Sequence, residues 1–118
     1  WEVLKRLDRF TKPGTPSLIE KLTNLYFETT PPQIDKIRAA LNTRDPVELS
    51  SQAHTLKGSS ANLGFTQVAA LAQRLEEIGK TGQITNDAAV IFDHLKHAYN
   101  VANNEISLRL KSSIDKAS

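Results

Sequence analysis

Asp45-Pro46-Val47-Glu48 at one end and Gly64 at the other bracket a segment with few options other than a helix. Asp is a preferred N-cap. Pro suits the first helical position, where its missing N–H has no intrahelical partner to lose, and Glu suits the third. Gly64 suits the left-handed residue that ends many helices. Between these signals Leu49, Ala53, Leu56, Ser60 and Leu63 recur at four-three-four-three spacing, the pattern of a buried stripe. At 100° per residue, His54 lies roughly 140° from the middle of that stripe and points outward. Its helical neighbours Ser50, Gly58 and Ala61 are all small, and Lys57 follows it by one turn. A glycine inside a helix costs about 1 kcal/mol relative to alanine. Close approach of a large partner to His54 is the gain that offsets this cost at Gly58.

The rest of the chain reads as helices separated by breakers. Trp1 to Phe10 forms a short helix with Val3, Leu4, Leu7 and Phe10 on its apolar side, ended by Lys12-Pro13-Gly14. Thr15-Pro16 opens the next helix, whose stripe is Leu18, Leu22, Leu25, Tyr26 and Thr29. Phe27 falls off that face and packs against a neighbouring segment, with the first helix as the candidate. Thr30-Pro31-Pro32-Gln33 has the form of a capping box, so a new helix begins there with Ile34, Ile37 and Leu41 inside. Asn42 to Asp45 is the turn into the histidine helix. Phe65, Val68, Leu71, Ala72 and Leu75 give a further stripe that ends near Lys80, at Thr81-Gly82. The last helix runs from about Thr85 to beyond Arg109 on Ile84, Ala88, Ile91, Leu95, Ala98, Ala102 and Ile106. The polar segment from Lys111 to Ser118 frays, so residues 112–118 form a loose tail. The expected fold is all-α: an antiparallel four-helix bundle with one or two additional N-terminal helices, in a single domain over residues 1–118.

Composition narrows the function. The absence of cysteine removes disulfides and thiol chemistry. A net charge of +2, with basic residues scattered, lacks the concentrated patch of a nucleic-acid reader. No apolar run approaches the ~20 residues that span a bilayer, and no signal peptide is visible. These features predict a cytoplasmic, monomeric domain with no nucleic-acid or direct membrane contact. The first residue is Trp1 rather than Met, which predicts a piece cut from a longer chain, one that can be tethered to a membrane-embedded sensor. His94 and His97 lie three apart, a spacing open to metal, but the Glu-x-x-His pairs of a di-iron bundle do not occur. Ser60 sits on the buried stripe and Ser59 lacks an evident base, so both read as packing and surface residues.

The run Ala53-His54-Thr55-Leu56-Lys57-Gly58-Ser59-Ser60-Ala61-Asn62-Leu63-Gly64, followed by an apolar helix with Leu75-Glu76-Glu77, resembles a histidine-containing phosphotransfer (HPt) domain of the two-component phosphorelay type. The resemblance covers about Leu18 to Lys80, and the long last helix fits it. It implies that His54 Nε2 accepts a phosphoryl group, that Lys57 stabilises that group and that Gly58 gives steric access. It also implies that Nδ1 is held by a polar side chain of the following helix. At that position this chain has Glu76, where several relatives carry Gln. Glu76 either orients the ring or faces solvent, and Gln73 and Lys80 on a similar side are its substitutes. Ser50, Ala61, Ala69 and Lys80 are the expected docking surface for receiver (response-regulator) domains. The receiver brings Mg²⁺ and the phospho-accepting aspartate, so the domain itself binds no cofactor and no metal and is a carrier rather than an independent enzyme. The implied setting is the C-terminal part of a hybrid sensor histidine kinase. Two alternatives stand beside it: the substrate histidine domain of a chemotaxis-type kinase, and a receiver-docking module that carries no phosphate.

Overall fold

The computed structural model describes residues 18–117, with side chains for 20–108. Four helices run through this region: α1 Leu18–Thr43, α2 Pro46–Asn62, α3 Thr66–Lys80 and α4 Asp87–Ala117. They pack as an up-down-up-down bundle. α1 lies against α2 and α4, and α3 against α2 and α4, so α2 and α4 occupy diagonal corners. The short helix expected at Trp1–Phe10 and the Thr15-Pro16 cap lie outside the described residues.

α2 follows its sequence signals closely. Asp45 Oδ1 accepts a hydrogen bond from the Glu48 amide at 3.1 Å, with Pro46 at the first helical position. At the other end Gly64 takes φ 83°. The Phe65 amide donates to the Ser60 carbonyl at 2.8 Å and the Gly64 amide to the Ala61 carbonyl at 3.1 Å, the paired bonds of a Schellman ending. Leu49, Ala53, Leu56, Ser60 and Leu63 are all buried, as their spacing predicts. Ser60 is polar yet fully buried, and its hydroxyl is paired with the Tyr26 hydroxyl of α1 at 2.8 Å.

α1 corrects the expected start of a helix at Thr30. It is one helix of 26 residues that passes through Pro31 and Pro32. Pro31 has no N–H to give the Phe27 carbonyl, and that carbonyl instead accepts from the Tyr99 hydroxyl of α4 at 3.4 Å. The carbonyl left free by Pro32 belongs to Glu28, on the exposed side. The buried face is also rotated from the expected one. Thr23, Tyr26, Thr30, Ile34, Ile37 and Ala40 are buried, whereas Leu25 is 56% exposed and Thr29 is exposed. Tyr26 fixes this rotation, stacked on Phe65 at 4.7 Å between ring centroids. Phe27 packs against Tyr26, Phe65 and Tyr99; the first helix, its expected neighbour, lies outside the described residues.

α3 and α4 keep the predicted stripes. Val68, Ala72 and Leu75 are buried on α3, and Ala88, Ile91, Leu95, Ala98 and Ile106 on α4. α4 adds buried Phe92 and Tyr99. Its backbone stays helical to Ala117, beyond the point where its polar composition predicts fraying; no proline or glycine interrupts it. No helix among the described residues is long and apolar enough to cross a membrane.

Candidate functional site

His54 stands on the outer wall of α2, its side chain 68% exposed. The wall around it is bare. A Cβ built on Gly58 would meet nothing within 4 Å, and Ala61 and Ser51 are exposed. Val47 lies seven residues before His54 on the same wall and is 77% exposed. The sequence reading missed it, although its seven-residue offset from His54 is the signal that places it.

α3 supplies the other half of the site because it comes very close to the start of α2. A Cβ on Gly79 would lie 2.6 Å from the Pro46 carbonyl oxygen and 2.7 Å from the Ser50 amide nitrogen, so only glycine fits. One turn before Gly79, Glu76 therefore faces α2. Its side chain is 3% exposed. His54 Nδ1 lies 3.1 Å from Glu76 Oε1 and 3.2 Å from Oε2. Lys57 Nζ is 2.8 Å from Oε1, and Lys80 Nζ, four residues along α3, is 3.2 Å from Oε2.

Three donors thus converge on one carboxylate. The Lys57 hydrogen bond does most to pull the Glu76 carboxyl down from 4.5 to about 2; burial opposes it, and His54 and Lys80 add to the lowering. An ionised carboxylate only accepts, so Nδ1 must be the donor. In the neutral ring the lone pair then lies on Nε2, the ring nitrogen not turned to Glu76, in a side chain that is 68% exposed. The arrangement presents a nucleophilic nitrogen with its tautomer set from behind.

The expected site residues divide on inspection. His54, Lys57, Glu76 and Lys80 are brought together, with Gly58 and Ala61 on the open wall. Gln73 does not reach the ring: its amide donates to Glu77 Oε1 at 3.2 Å on the exposed side of α3. Ala69 is only 9% exposed and offers almost nothing to a partner, which removes it from the docking surface. Ser50 is half-buried at the close approach to Gly79, so it packs the two helices together more than it faces outward. Ser59 donates to the Leu56 carbonyl at 3.2 Å. His94 and His97 are exposed on α4, and no cluster of three metal-ligating side chains occurs among the described residues.

A family model described as the Hpt domain matches residues 21–112. Multistep phosphorelay regulator 1 of Schizosaccharomyces pombe is 41% identical over 54 residues, covering 46% of this chain. The match spans 18% of that relative's length.

Proposed function

The chain belongs to the Hpt domain family, and from that premise we propose that it carries a phosphoryl group on Nε2 of His54 between receiver-domain aspartates of a phosphorelay. The observation that carries the reading is the pairing of Nδ1 with a buried, ionised Glu76 while the rest of the ring stands in solvent. Similarity to a multistep phosphorelay regulator supports it.

In the forward step the Nε2 lone pair attacks the phosphorus of an aspartyl phosphate. The N–P bond forms as the P–O bond to the aspartate breaks, and the electron pair leaves on that carboxylate. Phosphoryl transfer asks the protein mainly for positioning and charge stabilisation. Glu76 supplies the positioning by fixing ring and tautomer. Lys57, one turn away, is the cation within reach of the phosphoryl group once it is bonded to Nε2, and Gly58 leaves the approach clear. The receiver brings the metal ion and the aspartate, so turnover belongs to the complex rather than to this domain. A place at the C-terminal end of a hybrid sensor kinase, on the cytoplasmic side, fits such a carrier.

The test is incubation with a phosphorylated receiver domain. The product should be an acid-labile, base-stable phosphoprotein, and His54→Gln should abolish the label with helicity unchanged by circular dichroism. Label persisting on His54→Gln would remove the assignment.

A further inference from the structure

The cations near His54 are already engaged. Lys57 Nζ sits 2.8 Å from Glu76 Oε1 and Lys80 Nζ 3.2 Å from Oε2. The carboxylate they share is 3% exposed, whereas the side chains of Lys57 and Lys80 are 30% and 67% exposed. A buried charge is weakly screened and must be balanced by its neighbours. The inner lysine is therefore not a free ligand for an arriving phosphoryl group. It is bound to a competitor, and the outer lysine shares that competitor.

Resting on the carrier reading above, we propose that Glu76 holds Lys57 in reserve until His54 is loaded, and that Lys80 is the positioning residue that permits its release. The charge balance of the step makes the exchange favourable. When Nε2 bonds to phosphorus, Nδ1 keeps its proton and the ring becomes cationic. That new positive charge lies against Glu76, whose oxygens are 3.1 and 3.2 Å from Nδ1. The ring and Lys80 together now satisfy the carboxylate. Lys57 sits at i+3 from His54, within about 5–6 Å between Cβ atoms, and its flexible stem carries the ammonium to the phosphoryl oxygens. On phosphoryl departure the ring returns to neutral and Glu76 reclaims Lys57. The lifetime of the phosphorylated state then depends on Lys80, which need not touch the phosphoryl group.

The experiment loads the domain with potassium phosphoramidate and follows phosphoryl loss by ³¹P NMR at fixed pH. Lys80→Ala should shorten the lifetime about two- to fivefold, the range that a partly exposed ion pair commands. The same substitution should change nothing in a Glu76→Gln background, where Lys57 is already free. It should also change nothing in a Lys57→Ala background, where no lysine remains to be released, and this pair keeps the test intact if Glu76→Gln does not fold. An unaltered lifetime in Lys80→Ala, or equal shortening in all three backgrounds, would overturn the proposal; the second result would assign Lys80 a direct contact with the phosphoryl group. Failure of the unsubstituted domain to take phosphate from either phosphoramidate or a phosphorylated receiver would remove the carrier reading and this inference with it. Normal loading without the Lys80 effect would remove this inference alone.

Discussion

A carboxylate with almost no solvent contact ordinarily gains a proton, because burial disfavours its charge. Glu76 does the reverse, its carboxyl held at about 2 by Lys57 first and by His54 and Lys80 after it. The folded value lies below the unfolded one, so the ionised group stabilises the fold fully above about pH 4.5, and that share is lost as pH falls toward 2. Thermal melts of Glu76→Gln should therefore show a flatter acid limb between pH 4.5 and 2 than those of the parent domain; parallel limbs would contradict the coupling. At this scale the sequence was informative where one helix sufficed. The outward direction of His54 and the open space beside Gly58 follow from the period of α2 alone. The engagement of Lys57 does not, because it depends on which residue of α3 lies opposite. The same register buries Ala69, whereas Gln73 meets Glu77 through their own four-residue spacing on α3.

Two glycines separate what a helix needs for itself from what it needs to meet another. Gly58 faces open space, whereas Gly79 touches the backbone of the first turn of α2. Gly58→Ala should raise stability by about 1 kcal/mol through helix propensity. Gly79→Ala should lower it by about 1–3 kcal/mol, since the crowding atoms are mostly backbone and cannot swing aside. Urea melts read both, and equal shifts of one sign would refute the distinction. Element boundaries were legible where caps and periodicity agreed, as in α2 with its Asp45 cap and Gly64 ending. They were illegible at Pro31-Pro32, where local chemistry signals a helix start. The donor that satisfies the Phe27 carbonyl there is Tyr99, 72 residues away. Likewise the rotation of α1 is set by Tyr26 meeting Ser60 and Phe65, contacts that its own leucine pattern does not encode.

For the whole molecule, the diagonal placement of α2 and α4 decides which side a receiver can use. The bundle is a rod of about 52 × 21 × 20 Å, and His54 lies on its side wall rather than at an end. A partner must therefore approach laterally, over α2 and the exposed edge of α3 that carries Lys80. Exposed apolar side chains occur on both walls: Val47 on that of α2, Val90 on α4. Exposure alone does not distinguish them, but topology does, since α4 packs against α1 and α3 and turns its outer face away from α2. Transient interfaces can be small, and a charge placed at one is costly where it becomes desolvated. Val47→Glu should slow transfer from a phosphorylated receiver about tenfold, as loss of a modest contact does. Phosphoramidate, which needs no docking wall, should still load that variant at the parental rate. Val90→Glu should leave both reactions unchanged. Stopped-flow transfer from one receiver to the two variants makes the comparison. Slowing by Val90→Glu rather than Val47→Glu would place the receiver on the opposite wall, out of reach of the imidazole, and lateral docking over α2 would have to be abandoned.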